Sequence, residues 1–181
     1  MSGRAVRTAV TGLSLSLLVA ACGTATERAA TTVGPADALP GWTSVDDPPG
    51  ISQLAPDLSG LPVTGRADTK ALVRHGDAIR STTFAFATAR DAAEAQKRGA
   101  GNDYQGQLER AFRGETVGRG PGVGLRLKVP RATGTGSDVA EIYLLAAGRR
   151  LTVVELVSAR CFDPGLRSRV LGLLSRRTAA G

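Results

Sequence analysis

Cysteine and histidine are nearly missing from this 181-residue chain, which has two of the first and one of the second. At most one disulfide can form, which excludes a disulfide-stapled miniprotein, and no ligand-spaced cluster exists for zinc. The single histidine, His75, is the only one a Ser-His-Asp or Cys-His arrangement could recruit, and no Gly-x-Ser-x-Gly elbow accompanies it. Placed near a loop, it reads as a surface or half-buried side chain, and no cofactor is implied. Lysine is scarce, at three of 23 basic residues, and aromatic residues make up only 4%. Beyond the N-terminus no stretch is apolar for long enough to cross a bilayer. With 42% hydrophobic and 22% charged residues, 23 glycines and nine prolines, the chain is neither collagen-like nor wholly disordered.

What is present begins at the N-terminus. Arg4 and Arg7 precede a mostly apolar run from Thr8 to Ala21, 14 residues long. As a helix such a run covers about 21 Å, short of the roughly 30 Å hydrocarbon core, so it reads as a signal peptide rather than a membrane span. Val19-Ala20-Ala21-Cys22 closes it and resembles the lipobox of bacterial lipoproteins. Small side chains at positions 20 and 21 let a peptidase reach the backbone, and the Cys22 thiol can take a thioether-linked diacylglycerol. The resemblance implies cleavage after Ala21, a lipidated Cys22 and a 160-residue mature chain on the outer face of the cytoplasmic membrane, anchored by the paired acyl chains that stable attachment needs. Nucleic acid is not a sensible partner for such a chain.

Residues 22–36 are small, polar and aperiodic, and read as a flexible tether. Residues 37–181 read as one domain, long enough to bury about two-thirds of its unfolded surface. Charge is uneven along the chain: residues 22–118 hold 10 basic and 12 acidic side chains, residues 119–181 hold 11 and four. The C-terminal arginines are either a solvated face or a patch for an anionic partner such as a phospholipid surface or a wall polymer.

The first part of the domain carries five prolines between Asp37 and Gly65, too many missing donors for long regular elements. Trp42 reads as an anchor at the core edge, with Leu39, Ile51, Leu54, Leu58 and Leu61 beside it. Lys70 to His75 fits a short strand or a helical turn equally. Ala78 to Ala87 is strand-like, with Phe84 and Phe86 on one face. Thr88 caps a helix from Ala89 to about Arg98, ended by Gly99. Asn102 and Gln105 suggest a capping box for a second helix, Asp103 to Arg113, closed by Gly114 and striped by Tyr104, Leu108, Ala111 and Phe112.

Val123 to Val129 alternates as a half-wet strand, and its glycine-rich lead-in, Gly118 to Gly124, suits a bend or close packing. Val139 to Ala147 and Leu151 to Ser158 flank a turn at Gly148-Arg149-Arg150. Asp163-Pro164 opens a last helix. Leu166, Val170, Leu173 and Leu174 are expected on its buried side, with Arg167, Arg169, Arg176 and Arg177 outside as candidate ligand-binding residues. Strands grouped in hairpins with helices between them predict an α+β fold, an antiparallel sheet with helices packed on it.

Gly41-Trp42, the strand-to-helix run Thr83 to Gln96 and the strand pair Ile142 to Val157 together resemble the small α+β domains of lipid-anchored bacterial envelope proteins. These include the Mog1/PsbP-like lipoproteins and the sensor domains outside receptor kinases. The resemblance implies a fold and a compartment and transfers no functional residue. Chemistry has few other candidates. Asp46-Asp47 suits a loop turn or a weak metal site. Glu141 and Glu155 are either an acid pair across the hairpin or partners of Arg126 or Lys128. Cys161 suits packing as a small apolar side chain. Two functions follow as expectations: a non-catalytic binding or sensor-like module recognising a lipid, a wall component or an envelope protein, or an exported carboxylate-based hydrolase.

Overall fold

The computed structural model describes residues 39–45, 55–65, 67–119, 124–130 and 136–180. The signal peptide, Cys22, the tether, Asp46-Asp47, Ile51, Leu54 and Val123 lie outside them. Ten elements follow in order: β1 (Thr43–Val45), β2 (Asp68–Arg74), β3 (Asp77–Ala85), α1 (Ala89–Gly99), α2 (Asn102–Phe112), β4 (Glu115–Arg119), β5 (Leu125–Pro130), β6 (Ser137–Ala147), β7 (Arg150–Ser158) and α3 (Pro164–Ala180). The strands form one antiparallel sheet in the order β1-β2-β3-β7-β6-β5-β4. This is the predicted α+β fold, with the helices divided between two faces.

The period of two sorts the side chains between those faces. Phe84, Leu127, Ala140, Ile142, Leu144, Leu151 and Val153 pack with Ala92 and Ala95 of α1 and Tyr104 and Leu108 of α2. Leu72, Ile79, Tyr143, Val154 and Leu156 point the other way, against Phe162, Val170 and Leu174 of the α3 side. Trp42 joins this second cluster, its ring 6.2 Å from that of Phe162 and under the Arg74 guanidinium at 4.9 Å. Leu58 and Leu61, expected beside Trp42, pack on the α1/α2 face instead. The described residues on either side of 46–54 thus pack on opposite faces of the sheet.

Local signals account for most boundaries. Lys70 to Arg74 is strand, and His75 (φ 46°) with Gly76 (φ 90°) makes the two-residue turn to β3, the paired positive dihedrals of a type I′ hairpin. Thr88 caps α1 in a reciprocal box with Asp91. The box expected at Asn102 does not form: Gly101 is the N-cap of α2 and gives no side-chain bond. Ala111 faces solvent, so the α2 stripe is carried by Tyr104 and Leu108, with Phe112 half-buried. The left-handed residue ending α2 is Arg113 (φ 49°), one before the expected Gly114. Gly114 is needed for another reason: a Cβ there would sit 2.7 Å from the Lys128 carbonyl oxygen of β5.

Gly124 bears out the close-packing reading of the glycine-rich lead-in. A Cβ at this position would lie 2.5 Å from Cε1 of Tyr143, whose ring is packed beneath α3. Gly124→Ala should lower unfolding free energy by about 1–3 kcal/mol, the usual cost of overpacking, as read from urea midpoints. A change within experimental error would show that the tyrosine ring is free to move.

Candidate functional site

Glu141 and Glu155 are the two carboxylates buried in the sheet, and they do not form a pair. Register places Glu141 opposite Leu156 and Glu155 opposite Ile142, so one lies under α3 and the other under α1 and α2. Glu141 is fully buried. Its Oε1 accepts from Arg126 Nε and Nη2 at 3.2 and 3.0 Å and from Arg167 Nη2 at 2.8 Å. Its Oε2 accepts from Arg167 Nε at 2.6 Å and from the Tyr143 hydroxyl at 2.8 Å. Arg167 Nη2 also donates to the Phe162 carbonyl at 3.1 Å. Burial, and then donation to the Glu141 carboxylate, push the Tyr143 phenol well above its ordinary pKa. Every lone-pair direction of this carboxylate is occupied, so the cluster binds α3 to the sheet and has no acceptor left for a substrate.

Arg167 therefore corrects the expectation for α3. The helix buries Arg167, Val170, Leu174 and Thr178, a stripe rolled about 60° from the one drawn through Leu166, Val170, Leu173 and Leu174. Two polar anchors explain the roll. Arg167 reaches Glu141, and Thr178 joins a chain of hydroxyls: Thr83 to Thr152 at 3.0 Å, Thr152 to Thr178 at 2.8 Å, and Thr178 to the Leu174 carbonyl at 2.8 Å. Each hydroxyl has one proton. Thr178 gives its proton to the carbonyl, so Thr152 donates to Thr178 and Thr83 to Thr152. Of the other predicted arginines, Arg169 and Arg176 are exposed and Arg177 is half-buried. At the start of the helix the Asp163 carboxylate accepts from Leu166 N at 2.6 Å, the predicted cap.

On the opposite face Glu155 is 1% exposed and meets Arg80 at 3.0 Å through Oε2. Its other oxygen, Oε1, is buried with no hydrogen-bond partner. Burial raises the carboxyl pKa above the ordinary glutamate value, against the smaller opposing pull of Arg80. Tyr104 is raised too, by its own burial and then by the Glu155 charge. The sequence offered Arg126 or Lys128 as partners for both acids; Arg126 serves Glu141, while Arg80 lies 75 residues away from Glu155 in the chain and left no local trace. His75 is an exposed turn residue, and Cys161 is an exposed free thiol rather than a packed one. The loop after β7 turns Phe162 inward in its place.

Two open clefts are lined by described residues. One, of about 380 Å³, lies at the β2–β3 turn beside Thr43, Arg74, His75 and Asp77. The other, of about 440 Å³, lies where α1 meets α2 and is lined by Asp57, Arg98, Asp103, Tyr104, Gln107 and Arg110. Its polar groups are largely engaged: Arg98 donates to the Asp57 and Ser59 carbonyls at 3.1 and 2.8 Å, and Gln107 to the Ala55 carbonyl at 2.9 Å. Hydrogen bonds from Ser59, first its hydroxyl and then its N–H, hold the Asp57 carboxyl below its ordinary value. Asp57 is thus poised as an acceptor, the wrong state for a general acid. Neither Glu141 nor Glu155 lines either cleft. Among the described residues no group of three or more His, Cys, Asp or Glu is placed to hold a metal ion, and no helix is long and apolar enough to cross a membrane. No known protein family and no curated protein matches the sequence.

Two predictions test these assignments. Arg167→Ala leaves Glu141 short of its closest cation and should cost about 3–5 kcal/mol of stability, whereas Arg169→Ala should stay within about 0.5 kcal/mol; equal effects in chemical denaturation would return Arg167 to the surface. For Glu155 the folded carboxyl keeps its proton to higher pH than the unfolded one. The folded state binds more protons between the two values, so stability present at acid pH is lost as pH rises through the folded value. Glu155→Gln should flatten that decline and exceed the wild type in stability at neutral pH. A loss of stability at every pH would show that the charged pair with Arg80 is favourable.

Proposed function

We propose that this chain is an exported lipoprotein, held on the outer face of the cytoplasmic membrane by acyl chains on Cys22, whose α+β domain is a non-catalytic binding or sensor-like module. The observation that carries the reading is the run from Arg4 to Cys22: two arginines, then 14 mostly apolar residues that end in Val-Ala-Ala and are followed at once by Cys22. Each part answers a separate requirement of export, cleavage and acylation. The similarity to small lipid-anchored α+β domains points the same way. Within the domain, Glu141 is consumed by contacts that hold the layers together, and Asp57 is held ionised. A module that binds through its surface uses the fold without calling on either.

The carboxylate-hydrolase alternative has one observation in its favour, the unpartnered Oε1 of Glu155. It would require a route for substrate to that atom, and neither open cleft is lined by it.

Expression of wild type and Cys22→Ser in a bacterium separates the readings. The wild type should partition into detergent and yield an N-terminal peptide carrying diacylglycerol on Cys22. Cys22→Ser should be released from membranes or keep its 21-residue leader. Unchanged membrane retention and mass in the variant would overturn the anchor. Hydrolysis of an envelope ester or glycoside that disappears in Glu155→Gln, with the fold intact by circular dichroism, would replace the binding module with the enzyme.

A further inference from the structure

We infer that the outward side of α3 is the surface on which the domain rests against anionic phospholipid headgroups, with Arg169 and Arg176 as its contact points; this rests on the anchoring of Cys22 proposed above. With Arg167, Val170, Leu174 and Thr178 turned inward, 100° per residue puts Arg169 and Arg176 almost diametrically outward, about 10.5 Å apart along the axis. Both are exposed. Gly172 lies between them, and Nη1 of Arg176 runs back to 3.6 Å from where its Cβ would be, so no side chain at 172 props that guanidinium off the helix. No acidic residue occurs from Pro164 to Ala180, and the nearest one before it, Asp163, is engaged in capping Leu166. The other helical layer is different in kind. From Ala89 to Phe112 it carries four basic and four acidic residues, a balance with no preference for an anionic plane.

The path of the chain supplies the second argument. The described residues begin at Leu39, and Leu39 and Trp42 pack against the cluster containing Phe162, Val170 and Leu174. The chain leading from Cys22 therefore joins the domain on the α3 side of the sheet. Only 17 peptide steps separate Cys22 from Leu39, a reach of at most about 60 Å. A basic residue close to an anionic bilayer is worth about a fivefold change in partition, so two give about 25-fold. That is too little to hold a free protein on a membrane. For a domain already confined beside one, it is enough to choose which side faces down. The face carrying α1, α2 and their cleft is then turned toward the aqueous side.

Trp42 is the only tryptophan and lies on the α3 side, so it reports orientation directly. The chain from Cys22 onward, in a Cys161→Ser background, is coupled through Cys22 to a maleimide lipid. Energy transfer is then measured from Trp42 to dansyl headgroups. On phosphatidylcholine vesicles containing phosphatidylglycerol, transfer at low salt should exceed that on pure phosphatidylcholine by roughly twofold or more. It should fall to the neutral-vesicle value at high salt, and also in Arg169→Gln/Arg176→Gln with unchanged thermal unfolding. A probe moved to exposed Ala93 on α1 (Ala93→Trp with Trp42→Phe) should show no such gain. Equal transfer on both vesicle types, or a larger gain at position 93, would overturn the inference. So would loss of the Trp42 signal to soluble polyglycerol phosphate at a phosphate concentration below that of the vesicles, which would assign the face to a wall polymer. Because the anchor is supplied chemically, failure here leaves acylation of Cys22 standing, and failure of acylation leaves this result standing.

Discussion

The carboxylate of Glu141 is bonded by two guanidiniums and a phenol, drawn from β5, β6 and α3. It faces a buried layer, where an unpaired charge would be far more costly than any single packing contact. That asymmetry makes the cluster a constraint on geometry. The α3 helix must present Arg167 to the sheet, and its rotation about its own axis, its stripe of buried residues and the outward aim of its remaining arginines follow. Apolar contacts alone, from Val170, Leu174 and Phe162, would tolerate small rolls and slides. The ion cluster at one end and the threonine chain at the other do not.

The elements legible in the sequence are those whose signals are local. The Thr88 cap, the Asp163-Pro164 helix start, the alternation of β5 and the turn at Gly148 each depend on residues within a few positions of one another. What was not legible depends on partners distant in the chain. Arg80 and Glu155 meet because β3 pairs with β7, and nothing near either residue announces that pairing. A leucine-weighted wheel sets Arg167 on the outside because it assigns every charge to solvent. A basic residue beside a helix with no acids reads as a surface cation until the facing strand supplies a buried acid. Nearness in sequence groups Leu58 and Leu61 with Trp42, whereas in the fold they pack on the other face. At Gly114 the sequence suggests a helix end, whereas glycine is required there by the close approach of β5.

The two faces of the sheet are thereby given different characters. One is covered by α1 and α2, short helices of mixed charge, with the corner cleft between them. The other is covered by a single 17-residue helix whose polar contacts point into the sheet and whose outward surface is small residues and arginine. Leu39 and Trp42 pack against this second layer, with Arg74 laid over the indole. A surface made of small side chains and widely spaced guanidiniums is flat and chemically plain, suited to contact with an extended plane rather than to enclosing a small molecule.

Strand order has a consequence for how the molecule is made. The third strand, ending at Ala85, finds one of its two neighbours only in β7, which begins at Arg150. Between them the chain must run out over α1 and α2 to the far edge and return strand by strand through β4, β5 and β6. Until that return is complete, one side of β3 remains an unpaired edge, and the face carrying Ile79 and Leu72 has no helix over it. Such long-range closure slows folding relative to helical bundles. Loss of the last helix would expose the buried Glu141 and an apolar sheet face together, so a chain cut short after Ser158 is a sheet with one wet side that its sequence is not written to tolerate.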